Sequence, residues 1–486
     1  MTSLPPLSMR EILQATDGVP IAGEGGRVFT GVSTDTRSLR EGDLFVALRG
    51  ERFDGHGFLG AAVRAGAAGV VVDRDLSPET IRELGSAAAV RVEDTLTALG
   101  RIARSWRRRF ALPVLAITGS AGKTTTKEMA ATILAKTKRV LKTEGNFNNL
   151  VGLPLTLLGL REEHEAAVLE LGTNRPGEIA ALTWIAGPDV GVITNVGPAH
   201  LEGLRSLEAV AEEKVDLFRF LPENGAAVIN IDDERIRRLA ETIRRRRITF
   251  GMGKDADVSA GNVRHGEDRN VRFHLRIQGI DMDLTLPVAG EHNVYNALAA
   301  AASCSVLGAD IEQIRQGLAD FKPVAGRMSI VRLKNGACVI DDTYNANPAS
   351  VEEALKTLRA LRGACRSAVV MGDMLELGDS AASWHEQVGG FLADSGADAI
   401  FLRGKLSREV AAGALERGFD RNRIFLFEEV DEIASELNAR IAAGGWVLVK
   451  GSRRMKMEEI VRRIVAQWGE DAGKDAPDNG GKGRQA

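Results

Sequence analysis

The chain has 486 residues, too many for one hydrophobic core; at ~100–200 residues per domain it divides into roughly two to four units. With 44% hydrophobic and 27% charged residues it has the composition of a soluble globular protein, and a net charge of −3 offers no general field for nucleic acid or an anionic membrane. Three scattered cysteines (Cys304, Cys338, Cys365) argue against a disulfide framework and fit a reducing cytosol.

The N-terminus shows no basic region followed by a long apolar run. No stretch approaches the ~20 apolar residues of a membrane span, so a cytoplasmic location is expected. In chain order, residues 1–105 carry short strand-like runs such as "GDLFVAL" and "AGVVVD", with small-residue helices between them. Residues 106–322 alternate apolar strands with helical segments: "LPVLAIT", "EAAVLEL", "DVGVITNV" and "GAAVINID". Such nearly continuous apolar strands read as a parallel sheet buried on both faces. From about Val258 to Pro287 the pattern alternates, as expected of antiparallel strands at one edge, and the alanine-rich helix "NVYNALAAAASCSVLG" closes the block. A third βα block, 323–470, has "ACVIDDT", "SAVVMGD", "DAIFLRG" and "WVLVKGS" as strands. The polar, glycine-rich tail 471–486 reads as disordered. No internal repeat is evident. The expected fold is α/β in three domains. The basic runs "WRRRF" and "IRRRRITF" are short and lack interleaved aromatics, so they read as solvated helix faces rather than nucleic-acid contacts.

One segment carries chemistry outright. In "ITGSAGKTTTKEMAA" a strand, a glycine turn and a helix opening at Lys123 form an anion site. Backbone N–H groups point inward there, and the helix adds about half a positive charge at its N-terminus. Gly119 and Gly122 let the backbone approach phosphates, Lys123 can reach between the β- and γ-phosphates, and the Thr124 hydroxyl is placed to ligate Mg²⁺. The first glycine of the longer phosphate-loop pattern, due at Ile117 or Thr118, is absent; the motif is the shorter T-G-x-x-G-K-T. ATP or GTP binding follows, and the loop alone names no reaction.

Two further strand ends point to the same rim. Glu170 closes the strand of "VLELGTNRPGEI", where open α/β sheets bind ligands, and suits either Mg²⁺ or a satisfied strand terminus. His200 follows the strand of "ITNVGPAHLEGL" and is a candidate metal or phosphate ligand. Lys214, in "SLEAVAEEKVDLF", shares a helix face with Val210 and Phe218, and taken alone reads as an ordinary helix lysine. No Ser–His or Cys–His arrangement suggests a protein nucleophile.

Together "TGSAGKTT", Glu170, "NVGPAHLEGL" and Lys214 resemble the Mur ligases, ATP-dependent amide-forming enzymes of peptidoglycan synthesis. "STDTRSLREGDLFVALRGERFDGHGF", "EGNFNNLVGLPLTLL", "GEHNVYNALAA", "DDTYNANPASV", "VVMGDMLELG" and "LVKGSRRMKME" extend the likeness over the chain except its tail. They look like the branch that joins D-alanyl-D-alanine to UDP-N-acetylmuramoyl-tripeptide. The resemblance implies a UDP-substrate-binding domain at 1–105, a central P-loop ATPase domain with a mostly parallel sheet, and a Rossmann-like C-terminal domain for the dipeptide. It implies that Gly119, Ser120, Ala121, Gly122, Lys123, Thr124 and Thr125 cradle ATP. Magnesium, expected as two ions, would be bound by Thr124, Glu170 and His200 with a carbamylated Lys214. Lys123, Glu170, His200 and Lys214 thereby form the implied catalytic set. A free Lys214 ammonium would repel the cations, whereas a carbamate supplies an oxygen pair.

By the same resemblance, Asn293 contacts adenine, with Asn296 one helical step on; Arg327 reaches ATP and Asp342 lies by the ribose. Tyr344, Asn345 and Asn347 would face the dipeptide, Ser33, Asp35 and Arg37 the UDP moiety, and Asn146, Asn148 and Asn149 the muramoyl peptide. A monomer without nucleic-acid or membrane partners is expected. Sister ligases tend to carry a histidine in the "DDTYNANP" loop. A GTPase switch would need a guanine-reading N-K-x-D, which the sequence lacks.

Overall fold

The computed structural model describes residues 6–23, 26–50, 53–266, 268–441 and 443–471. Apart from Asp471, the tail expected to be disordered lies outside the described residues. Three large sheets follow one another along the chain, with helices packed on them, as the α/β reading requires.

The first has five strands, ordered Val19–Ala22, Ala88–Arg91, Gly69–Val72, Leu44–Val46, Val32–Ser33, parallel except at the first pair. The second has nine. Its seven parallel strands run Val140–Lys142, Ala166–Glu170, Val114–Thr118, Val190–Ile193, Ala226–Asn230, Arg246–Gly251, Val258–His265. Val271–Ile277 and Ile280–Leu286 add the antiparallel edge that the alternating sequence foretells. The chain leaves Val114–Thr118 toward one edge and later returns to its other side, which makes this strand the topological switch point, where open α/β sheets leave a crevice at the strands' carboxyl ends. All five of its residues are buried, as are those of Ala166–Glu170. The third sheet has six strands, ordered Ser329–Arg332, Cys338–Asp342, Trp446–Lys450, Ser367–Gly372, Ala399–Arg403, Ile424–Phe427, parallel except at the first pair.

Local chemistry sets the helices that serve the crevice. Lys123–Leu134 begins at Gly122, held at φ 79°. Leu207–Arg219 is capped by Ser206 Oγ, which accepts from Ala209 N, and turns Val210, Lys214, Val215 and Phe218 inward. Pro348–Arg362 opens on a capping box between Asn347 and Ser350 with proline in its first turn. The alanines of His292–Val306 let it lie close on Lys123–Leu134. Leu201, Leu204 and Val210 join the core of the third sheet, so the second and third sheets share an apolar contact below the crevice.

The basic runs depart from the expectation of solvated helix faces. Arg107 ends the helix Thr95–Arg107 but donates to the carbonyls of Phe110 and Leu112, while Arg109 pairs with Glu11. Arg246 and Arg247, exposed, open the strand Arg246–Gly251, because the following Ile-Thr-Phe pairs with Ala226–Asn230. Among the described residues no helix is long and apolar enough to cross a membrane.

Candidate active site

A cavity of ≈ 900 Å³ opens between the carboxyl ends of the second and third sheets. The phosphate loop lines one wall. Asn195 pins it from the neighbouring strand end, accepting from Ala121 N through its side chain and from Ser120 N through its carbonyl. Thr194 Oγ1 donates to Ala121 O at 2.6 Å. A Cβ on Gly119 would collide with Thr194 Oγ1, and one on Gly122 with Asn296 Oδ1, so both glycines are required by close approach. Among the described residues, the N–H groups of Gly122, Lys123, Thr124 and Thr125 meet no protein acceptor. Lys123 Nζ donates to Gly119 O at 2.7 Å, and burial pushes its pKa down. A row of unpaired N–H groups beside an ammonium fits a polyphosphate. Arg327 Nε, buried and without a partner among the described residues, fits an anion as well.

The candidate cation ligands meet the loop at its rim. Glu170, only 3% exposed, accepts from Thr124 Oγ1 (2.9 Å) and Asn148 Nδ2 (2.8 Å), which fix both carboxylate oxygens toward the cavity. His200 Nδ1 lies 2.8 Å from Glu376 Oε2. Burial lowers the imidazole pKa, and the hydrogen bond with His200 lowers that of Glu376. A neutral imidazole facing an ionised carboxylate must carry its proton on Nδ1, which leaves the Nε2 lone pair available to a cation. His200 (φ 58°) and Glu376 (φ 66°) are both non-glycine residues in the left-handed region, backbone strain of the kind concentrated at functional sites.

Lys214 is 1% exposed and does not line the cavity. Burial and the nearby Lys123 charge lower its pKa well below the ordinary lysine range. Its neighbour Glu213 is occupied by the N–H groups of Gly177 (2.7 Å) and Ile179 (2.8 Å). Among the described residues no three His, Cys, Asp or Glu side chains converge as a preformed metal cage. Mg²⁺ characteristically takes one or two carboxylates plus substrate phosphates, so a partial protein shell fits a cation that arrives with nucleotide.

The other expected residues divide. Asn146, Asn149, Asn293, Asn296, Asp342 and Asn345 line the cavity. Asn293 Nδ2 donates to Ala289 O, and Asn296 Nδ2 to Asn293 Oδ1, a buried pair at the helix start. Asn149 Oδ1 accepts from Val151 and Gly152 N, so it serves the following helix. Asn347 also lines the cavity, but its Oδ1 caps Ser350 N and its Nδ2 donates to Ser120 O of the phosphate loop. Tyr344 lies under Arg327, which donates to Thr124 Oγ1 at 3.1 Å. Ser33, Asp35 and Arg37 are not brought to this cavity. Asp35 is held by Arg37, which drops its pKa to about 2, and Ser33 Oγ donates to Asp35 O.

Sequence reasoning missed Glu376 and Lys450. Lys450, 2% exposed, donates to Asp342 Oδ2 at 2.5 Å and Asn345 O at 3.0 Å, setting the "DDTYNANP" loop. Its signal was the one that marked Glu170: a charged residue closing an apolar strand.

Known proteins bear on this arrangement at three levels. Residues 28–107 match the model of the Mur ligase family catalytic domain, 117–304 the Mur ligase middle domain, and 326–453 the Mur ligase glutamate ligase domain. UDP-N-acetylmuramoyl-tripeptide--D-alanyl-D-alanine ligase of Bacillus subtilis is 38% identical over 90% of this chain and 93% of its own length; that of Escherichia coli is 38% identical over 89% and 93%. The chain belongs to the Mur ligase family. Two solved Mur ligase structures agree in fold. MurF from Acinetobacter baumannii superposes with a TM-score of 0.87 at 33% identity, covering 96% of this chain and all of that one. MurF from Thermotoga maritima, in complex with ADP, gives 0.81 at 30% identity over 90% and 97%. The phosphate loop of this Mur ligase therefore sits in a fold shared with an ADP-bound relative.

Proposed function

We propose that this Mur ligase joins D-alanyl-D-alanine to UDP-N-acetylmuramoyl-tripeptide at the expense of ATP, through an acyl phosphate, giving the UDP-linked pentapeptide precursor of peptidoglycan with ADP and phosphate. The observation that carries the reading is the convergence of the unpaired phosphate-loop N–H groups, Lys123 and Glu170 with the Arg327–Tyr344 wall in one cavity.

A carboxylate is a poor electrophile. Its oxygen attacks the γ-phosphorus, the bond to the β-bridging oxygen breaks, and an acyl phosphate forms. The dipeptide's amine then attacks the acyl carbon, phosphate leaves, and the nitrogen gives up its proton. Both steps crowd anions together, so positioning and positive charge dominate. Lys123 neutralises phosphoryl oxygens, the loop N–H groups orient them, and Arg327 closes over the nucleotide from the third sheet. Thr124, Glu170 and His200, with Lys214 once carbamylated, would hold Mg²⁺, which supplies further neutralisation of phosphoryl charge. Lys214 suits carbamylation because burial favours its neutral amine, the form that adds CO₂ and releases a proton. Incubation with ¹³C-bicarbonate should give a carbamate resonance that Lys214→Ala lacks; its presence in that variant would remove Lys214.

Residues 1–105 would bind the UDP moiety, 106–322 ATP, and 323–470 the dipeptide, in a monomeric cytoplasmic enzyme. The decisive test is phosphate release with UDP-muramoyl-tripeptide, ATP and Mg²⁺. Release should depend on D-alanyl-D-alanine; turnover without it, or with one amino acid in its place, would defeat the reading.

A further inference from the structure

Four cations line the cavity from the third-sheet side: Arg327, Lys356, Lys450 and Arg453. Lys450 pairs with Asp342 and Lys356 with Glu352 (3.0 Å) and Glu353 (2.8 Å), while Arg327 reaches Thr124 from Nη2 and its buried Nε, beside the phosphate loop, meets no acceptor among the described residues. Arg453 differs. Its Nη1 donates to Glu458 Oε1 at 3.1 Å, while among the described residues Nε and Nη2 meet no acceptor. Its side chain is 61% exposed, and its guanidinium carbon lies 5.6 Å from the Tyr344 ring centroid. The same ring carries Arg327 at 3.9 Å. A continuous row thus runs from Thr124 through Arg327 and Tyr344 to a guanidinium with an open edge.

We propose that Arg453 receives the terminal carboxylate of the incoming dipeptide; this rests on the function proposed above. The dipeptide is a zwitterion whose amine must approach the acyl phosphate while its carboxylate stays clear of the phosphate anions. Its two ends stand about 7 Å apart when extended. The guanidinium fork can take a carboxylate through two parallel N–H bonds, and Glu458 and the Tyr344 ring fix its plane beforehand. An amino acid carries its carboxylate one residue nearer the amine and cannot serve both ends. The row through Tyr344 and Arg327 ties this carboxylate to the nucleotide side, so the same residue that recognises the dipeptide also sets its distance from the reacting phosphate.

The test is steady-state phosphate release with D-alanyl-D-alanine and with its C-terminal amide, using wild type, Arg453→Ala and Arg453→Lys. Wild type should favour the acid about 10–100-fold in kcat/KM, the range of charge-assisted hydrogen bonds. Arg453→Ala should raise the dipeptide KM by a similar factor and bring the acid-to-amide ratio close to one, with KM for ATP unchanged. Arg453→Lys, which keeps the charge and loses the fork, should fall between, and carries the comparison should the alanine variant fail to fold. Arg454→Ala should keep the wild-type ratio. Equal use of acid and amide by wild type, or a retained preference in Arg453→Ala, overturns the assignment of Arg453 and leaves the ligase reaction standing. A wild type with no dipeptide-dependent release overturns the reaction itself and this assignment with it.

Discussion

On the side of the nine-stranded sheet the cavity is built around a backbone cradle, the N–H groups from Gly122 to Thr125 with the Lys123 ammonium, beside the Glu170 and His200 side chains. On the side of the six-stranded sheet it presents side chains held by one another, Lys450 on Asp342, Lys356 on Glu352 and Glu353, Arg327 and Arg453 on Tyr344. A backbone wall is set by a short stretch of chain and moves only if that stretch is distorted. A side-chain wall depends on pairs brought together by the fold, and each pair can be removed without disturbing the backbone. The two walls should therefore respond differently to substitution: steep and general on the first, graded and substrate-selective on the second.

Removing the only ammonium of the phosphate loop is the harshest test. Lys123→Ala should lower kcat by about 10³-fold with little change in thermal midpoint, the scale expected for a preorganised charge on a transferring phosphoryl group. A variant with near-normal rate would take the loop out of the mechanism. Gly122→Ala attacks the backbone itself. A Cβ there meets Asn296 Oδ1, and φ 79° disfavours any side chain, so the loop must shift. Displacement on the scale of an ångström should cost about 100-fold in kcat/KM for ATP. An unchanged value would mean that the phosphates do not sit on this loop.

Glu376→Gln probes the junction of the walls. It keeps a hydrogen-bond acceptor for His200 Nδ1 and removes the charge; with His200 proposed as a cation ligand, an outer partner of this kind typically contributes 10–100-fold. Activity should drop by about that factor and recover partly as Mg²⁺ is raised. A loss insensitive to Mg²⁺ would argue that Glu376 acts on something other than His200.

The same contrast explains what could be read from sequence. Strand, glycine turn and helix at Thr118–Leu134 are contiguous, so their residue types alone declare an anion site, and Glu170 stands out as a carboxylate closing an apolar strand. The parallel core and its antiparallel edge were legible for the same reason: burial on both faces, or on one, writes itself into the spacing of apolar residues. The pairings of the second wall were not, although the resemblance named Arg327, Asp342 and Tyr344. His200 and Glu376 are 176 positions apart, Arg327 and Thr124 203, Lys450 and Asp342 108, and no local pattern encodes such pairs. Asparagine is ambiguous even locally. Asn347 was expected to face the dipeptide, yet "NPAS" is also a helix-start signal, and its carbonyl oxygen serves Ser350. Lys214 shows the limit from the other side: helical spacing places it correctly on the buried face, but burial alone does not say what a lysine does there.

The gentlest effect is expected at Arg37, which does not line the cavity. Its guanidinium lies on Asp35 with Nη2 2.6 Å from Oδ2, and the two side chains are 88% and 40% exposed. Arg37 draws the Asp35 pKa from 3.8 to about 2, so the stability it contributes is present above pH 3.8 and lost as pH falls through about 2. Because the pair is exposed and screened, that contribution is small. Arg37→Ala should thus leave the melting temperature at pH 7 almost unmoved and shift acid unfolding only slightly. If Arg37 serves the UDP moiety, the same variant should raise the KM for UDP-muramoyl-tripeptide by up to about tenfold, since one charge-assisted contact to phosphate is lost. A KM that stays put while the melting temperature falls would make the Asp35–Arg37 pair a fold element alone and return the UDP site to other residues of the first sheet.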